Sequence, residues 1–312
     1  MIPSYSNRHR SSRRGAPRAA LTGLLVAATL TAGATGAAAQ TTQPSQSEAS
    51  HDERVTTVAH RGASAVAPEN TLPAVDEGAD VKSDFVEIDV QLTSDGELVV
   101  IHDTTLSRTT DVEEKYPERA PWNVGDFTLE EIRTLDAGSW FGAEFAGTQV
   151  PTLQEVLDTL DGRAGLLLEV KSPSLYPGIA EKIVAELDGE GWLNADARSG
   201  RLIVQSFDWE FMEAFNQLAP AVPAGLLGGP PSEERIAELS TWADQINLNH
   251  NRVTESFVEA VHAYGMETWP YTIDDPERMR QLVELDVDGI ITNRPAVLIE
   301  VLKEGAPVDQ AA

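Results

Sequence analysis

His60-Arg61-Gly62 closes one short apolar run, and Val99-Val100-Ile101 leads into His102-Asp103 at the end of another. Between them, Glu87-Ile88-Asp89 places two acids two residues apart. Downstream, Leu166-Leu167-Leu168 ends in Glu169, with Lys171 two residues on. On an extended chain, residues i and i+2 point to the same side, so Glu87 and Asp89 face one way while Val86, Ile88 and Val90 face the other. Two inward carboxylates side by side repel unless a cation or a proton lies between them. With Glu169 as a third acid and no cysteine in the chain, the set is oxygen-rich. It suits Ca²⁺ or Mg²⁺, with Mn²⁺ acceptable, rather than a closed zinc site. His60 and His102 read as a general acid and base, since imidazole changes charge near neutral pH; metal ligation is their competing role. Arg61 and Lys171 suit phosphate oxygens, arginine as a planar fork and lysine as a point charge, the alternative being that they pair with the acids. Together these residues point to metal-assisted chemistry on a phosphate ester.

Lesser candidates surround this set. Gly62 permits a sharp turn or a close backbone approach. Pro68-Glu69-Asn70-Thr71 reads as the cap of a first helix, with Glu69 a minor catalytic candidate. Trp269 and Tyr271 either face an alcohol group of a substrate or pack.

The elements that would position these residues alternate. Candidate strands are Val55–His60, Phe85–Leu92, Leu98–His102, Gly165–Lys171, Leu202–Ser206, Ala224–Leu227, Gln245–Leu248, Met266–Thr272 and Gly289–Thr292. Helix signals lie between most of them. Thr128-x-x-Glu131 and Thr152-x-x-Glu155 are capping boxes, and Asp275-Pro276 is a cap followed by proline at the first helical position. Repeated β and α units of this length imply a mainly parallel sheet, and their number favours a closed (β/α)8 barrel, the TIM barrel, over an open sheet. Nine candidates compete for eight places. The irregularity falls between Phe85–Leu92 and Leu98–His102, because the turn-like Thr93-Ser94-Asp95-Gly96-Glu97 is too short for a crossover helix. That leaves a hairpin or a barrel corner without its helix. Residues 104–150 form a longer excursion carrying Trp122, Trp140 and Phe141, and insertions after barrel strands tend to roof an active site.

Composition sets the boundaries. Residues 1–39 carry Arg8, Arg10, Arg13, Arg14 and Arg18, then an apolar run, then Ala37-Ala38-Ala39. This is the pattern of a secretory signal peptide, with Arg13-Arg14 also permitting a twin-arginine route. Residues 40–54, rich in Thr, Ser, Gln and Pro, read as a disordered linker; 55–302 as the folded unit; and 303–312 as a flexible tail. An exported protein without cysteine must be held by its core, and none is available for lipid attachment at the junction, so an extracellular or periplasmic protein without a stable membrane anchor is expected. A net charge of −27 argues against nucleic acid or an anionic membrane as partner. A phosphate substrate would therefore need local positive charge.

In these segments the chain resembles the glycerophosphodiester phosphodiesterase family. The matching stretches are His60-Arg61-Gly62, Pro68-Glu69-Asn70-Thr71, Glu87-Ile88-Asp89-Val90-Gln91-Leu92-Thr93, Ser94-Asp95-Gly96, Val100-Ile101-His102-Asp103, Pro151-Thr152-Leu153, Glu169-Val170-Lys171, Ser206-Phe207 and Asp288-Gly289-Ile290-Ile291-Thr292. The resemblance implies a TIM barrel with a small subdomain inserted after the third strand. It also implies a divalent metal on Glu87, Asp89 and Glu169, His60 and His102 as the acid–base pair, and Arg61 and Lys171 on the phosphate. The implied reaction converts glycerophosphodiesters to sn-glycerol 3-phosphate and an alcohol through a cyclic phosphate. The family often has Trp-Thr-Val-Asn where this chain has Tyr271-Thr272-Ile273-Asp274, so Tyr271 becomes the candidate substrate contact. Lysophospholipid cleavage on the same site, and non-catalytic binding of phosphate esters, are the alternatives.

Overall fold

The computed structural model describes residues 55–193 and 201–305. The expected signal peptide, the linker and residues 306–312 of the expected tail lie outside these. The strands are β1 (Thr56–Ala59), β2 (Phe85–Leu92), β3 (Leu98–Val100), β4 (Gly165–Val170), β5 (Leu202–Ser206), β6 (Ala224–Gly228), β7 (Gln245–Leu248) and β8 (Gly289–Thr292). All but β3 run parallel, in the order β7-β6-β5-β4-β2-β1-β8.

The segment Met266–Thr272, expected as a strand, is not a regular one. It bridges β7 at Gln245–Glu267 and Asn249–Tyr271. On its other side, the Asp288 and Ile291 N–H groups donate to the Thr268 and Pro270 carbonyls at 3.2 and 3.0 Å. Pro270 has no N–H to give a ladder, which breaks regular pairing. The segment still joins β7 to β8, so the sheet closes as a (β/α)8 barrel.

The surplus candidate is β3. It pairs antiparallel with β2, Val90 opposite Val100 and Leu92 opposite Leu98. The open question at residues 85–102 thus resolves as a hairpin: the inserted segment follows the third strand in the chain, which is not a barrel strand. The hairpin also explains a second core. Leu98 and Val100 join the main core, while Val99 and Ile101 face a separate cluster with Leu106, Val112, Phe127, Ile132 and Val150.

Each of the eight barrel positions is followed by a helix: Leu72–Asp80, Leu153–Leu160 (after the hairpin and insertion), Ile179–Gly189, Trp209–Leu218, Glu233–Leu239, Glu255–Ala263, Pro276–Glu284 and Pro295–Gly305. Both capping boxes form as expected, and the Asp275 side chain accepts from the Glu277 and Arg278 N–H groups. The last helix runs on to Gly305, so residues 303–305, expected in the tail, are helical.

Strand alternation sorts the side chains. Val86, Ile88, Val90, Leu166 and Leu168 point outward into the apolar layer beneath the helices. Val58, Phe85, Leu167, Ile203, Trp269 and Ile291 point inward and form a compact apolar floor. Two residues further along each strand, at the carboxyl end of the barrel, that floor gives way to His60, Glu87, Glu169 and Gln205. Function in this fold sits at that face.

Candidate active site

The three expected acids converge. One carboxylate oxygen from each of Glu87, Asp89 and Glu169 lies within 4.8 Å of the others. Glu87 and Asp89 are 1% exposed and Glu169 7%. Parallel pairing sets Asp89 of β2 opposite Glu169 of β4. Burial, with Asp89 and Glu169 as like-charged neighbours, pushes the Glu87 pKa well above the ordinary range. Burial and Asp89 likewise push Glu169 up, to about 7. Burial opposes ionisation of Asp89 too, but Arg61, Lys171 and the Asn70 hydrogen bond outweigh it and hold that group below its usual value. Glu87 Oε1 and Asp89 Oδ1 are buried and have no hydrogen-bond partner among the described residues. Buried carboxylate oxygens without donors are costly, and a hard cation satisfies such a set. The residues present therefore fit a divalent metal.

Arg61 is placed by a tight turn in which it and Gly62 both take positive φ, 55° and 80°. A side chain at Gly62 would put Cβ 2.3 Å from the Ala74 carbonyl carbon, so glycine is required there. The turn aims the Arg61 N–H at Glu87 Oε2, 2.8 Å away, and its guanidinium at Glu69 (2.8 Å) and Asp89 (3.4 Å). Lys171 Nζ donates to Glu169 at 2.6 Å and lies 3.6 Å from Asp89. Both cations thus pair with the acids while bordering the site.

His60 and His102 both reach this mouth, each held through Nδ1. His60 Nδ1 lies 2.7 Å from Asn293 Oδ1, and His102 Nδ1 lies 2.6 Å from Asp103 Oδ1. Burial and Arg61 push the His60 pKa down to about 4, against the Asn293 hydrogen bond. Arg108, from the insertion, grips Asp103 (2.6 Å) and Glu69 (2.7 and 2.9 Å), and its hydrogen bond is the largest influence holding Asp103 down to about 2.

Several of these partners went unread in the sequence. Asn70 was grouped with a helix cap, yet Thr71 at the cap position makes no side-chain capping bond to the helix. Asn70 instead clasps Asp89: its Nδ2 donates to Oδ2 at 2.7 Å, and its Oδ1 accepts from the Asp89 N–H at 3.2 Å. Glu69 bridges Arg61 and Arg108. Gln91, on the face of β2 that carries Glu87 and Asp89, donates to the Ile101 and Asp103 carbonyls at 2.7 Å and so anchors the His102 loop. Strand alternation points to Gln91; nothing local signals Asn293 or Arg108.

A cleft of about 810 Å³ opens beside the acids, lined by Glu169, Lys171, Phe207, Trp209 and Leu227 among others. Phe207 meets Tyr271 edge-on at 5.9 Å and lies 5.6 Å from Lys171 Nζ. Tyr271 thus packs against the cleft wall through Phe207 and is not itself among the residues that line the cleft. Trp269 does not reach it: the residue is 3% exposed and packs edge-on against Phe85 at 5.1 Å in the barrel floor.

The geometry agrees with comparisons to known proteins. Residues 60–297 match the model of the glycerophosphoryl diester phosphodiesterase family. A glycerophosphodiester phosphodiesterase of Bacillus subtilis (strain 168) is 35% identical over 264 residues, covering 80% of this chain and 87% of the relative. One from Caldanaerobacter subterraneus subsp. tengcongensis is 37% identical over 252 residues, covering 80% of this chain and 98% of the relative. Among solved structures, an Oleispira antarctica phosphodiesterase in complex with the product sn-glycerol-3-phosphate superposes with a TM-score of 0.70 at 27% identity, over 80% of this chain and 97% of that one. Barrel, acid cluster and sequence agree, and the chain belongs to the glycerophosphoryl diester phosphodiesterase family.

Proposed function

We propose that this protein is an exported, divalent-cation-dependent hydrolase that converts glycerophosphodiesters to sn-glycerol 3-phosphate and an alcohol. The observation that carries the reading is the buried Glu87–Asp89–Glu169 cluster, with two oxygens lacking donors, flanked by two histidines each fixed through Nδ1. An all-oxygen ligand set favours Ca²⁺ or Mg²⁺, with Mn²⁺ next. Such an ion, when bound, neutralises phosphate charge and eases deprotonation of an adjacent hydroxyl.

The protein's own groups would do the rest. Arg61 and Lys171 would hold phosphate oxygens on either side of the acids. One histidine accepts the proton of the glycerol 2-hydroxyl at Nε2 as the 2-oxygen–phosphorus bond forms. The other donates its Nε2 proton to the departing alcohol as the old ester bond breaks. Water then opens the cyclic phosphate with the histidine roles exchanged, which restores both rings. Hydrolysis of glycerophosphocholine, followed with and without chelator, tests this reading.

A second reading, lysophospholipid cleavage on the same site, is favoured by apolar side chains on loops beyond the strand ends. Trp140 of the insertion is 45% exposed, Leu175 59% and Phe207 54%. Turnover of lysophosphatidylcholine faster than that of glycerophosphocholine would support it.

A further inference from the structure

We propose that Asn293, itself held by Asp274, is a positioning residue that fixes the His60 ring with Nδ1 protonated and Nε2 bare, making His60 the proton acceptor of the first step. The proposal rests on the phosphodiesterase reading above only for the step that it names. Three consecutive barrel positions supply the parts. Asp274 follows the irregular segment, Asn293 follows β8 and His60 follows β1, with Ala59 registered against Thr292.

Hydrogen-bond inventory determines the orientation. Asp274 receives three donors: Asn293 Nδ2 at 2.7 Å, the Asn293 N–H at 2.9 Å and Thr292 Oγ1 at 3.2 Å. A carboxylate only accepts, so the edge of the Asn293 amide facing it is the NH₂. The edge facing His60 is therefore the oxygen. Ser64 Oγ lies 2.8 Å from that oxygen and 2.7 Å from the His60 carbonyl, and with one proton for two acceptors it does not decide the orientation, which Asp274 sets. An amide oxygen has no proton, so the His60 Nδ1 at 2.7 Å must carry one. In the neutral ring that leaves Nε2 as the lone pair.

The two histidines are thereby made unequal. The Nδ1 partner of His60 is a neutral amide, whose hydrogen bond opposes the lowering of the His60 pKa but is outweighed by burial and Arg61. That of His102 is the Asp103 carboxylate at 2.6 Å, so the two rings are held by partners of different charge. The charged groups acting on His60 are Arg61, Asp89 and Glu69, with Asp274 one hydrogen bond further away. Burial and Arg61 keep the ring neutral against the two acids.

The test has two arms. Nitrogen-resolved NMR of the histidine rings, with His60 assigned through a His60→Gln variant, reads the tautomer without any turnover. An Nδ1–H ring is expected in the native protein, and an Nε2–H ring would overturn the proposal whatever the activity. The second arm is the pH profile of kcat/KM for glycerophosphocholine in Asn293→Asp and Asn293→Ala. A carboxylate in place of the amide should move the acid limb up by about 1–3 pH units. The alanine variant should lose about 10²-fold in kcat, with KM and divalent-cation affinity little changed. An acid limb unmoved in Asn293→Asp, while that variant still folds and turns over, would make Asn293 merely structural. Absence of hydrolysis in the native protein, with the Nδ1–H tautomer in place, would instead refute the phosphodiesterase reading and leave the tautomer assignment standing.

Discussion

Replacing Asn70 by alanine strips Asp89 of two hydrogen bonds at once. The lost bonds are Asn70 Nδ2 to Asp89 Oδ2 at 2.7 Å and the Asp89 N–H to Asn70 Oδ1 at 3.2 Å. Both residues are buried, at 3% and 1% exposure, so water does not replace the bonds. A hydrogen bond to a charged group contributes about 1.5–3 kcal/mol, and a buried donor left unmatched costs about 1–3 kcal/mol. The expected loss of stability is therefore about 2.5–6 kcal/mol, a large share of the roughly 5–15 kcal/mol of a typical domain. Asp89 also loses the contact that aims its carboxylate at Glu87 and Glu169. Partners of this kind typically contribute about 10–100-fold to metal affinity. Urea unfolding with and without Ca²⁺, beside calorimetric Ca²⁺ titration of the folded variant, measures both effects. Native Ca²⁺ affinity in a destabilised Asn70→Ala protein would mean that Asn70 only secures the loop before the first helix. Unchanged stability would mean that the two bonds are not made.

His60→Ala and His102→Ala should each lower turnover by about 10²–10⁴-fold while the fold and divalent-cation binding survive; near-native turnover in either would remove that histidine from the chemistry. Glu169→Gln should weaken cation affinity and be partly rescued by excess metal, whereas Lys171→Ala, which removes a cation 2.6 Å from Glu169 and 3.6 Å from Asp89, should keep or raise that affinity. Turnover and substrate affinity should still fall in Lys171→Ala, without rescue; calorimetry and kinetics giving the reverse pattern would exchange the two roles. Gly62→Ala forces Cβ to 2.3 Å from the Ala74 carbonyl carbon in a residue at φ +80° and should cost at least about 1–3 kcal/mol; an unchanged Tm would contradict the tight turn that places Arg61.

What the sequence displayed was the part of the structure encoded locally. Period-2 alternation put Glu87, Asp89 and Gln91 on one face of β2, and capping boxes at Thr128 and Thr152 appear where the spacing predicts. The histidines and Glu169 could be gathered because each stands at the end of an apolar run. Long-range partners gave no such signal. Asn293 is 233 residues from His60, and Arg108 is 39 residues from Glu69; neither pairing leaves a trace in local pattern. The strand at Met266–Thr272 was overread because apolar content cannot show that Pro270 interrupts the ladder. The neighbourhood of Asn70 resembles a helix start, while its side chain is recruited by the neighbouring strand β2.

Cation-dependent hydrolysis of a glycerophosphodiester at the Glu87–Asp89–Glu169 cluster is the proposal on which the others depend. The direct measurement is product analysis after incubating the purified protein with glycerophosphocholine, once with Ca²⁺ and once after exhaustive chelation with metal removal verified. The expected products are sn-glycerol 3-phosphate and choline in equal amounts, lost on chelation and restored by Ca²⁺ or Mg²⁺. Choline phosphate and glycerol as products, or full turnover after verified metal removal, would contradict that proposal.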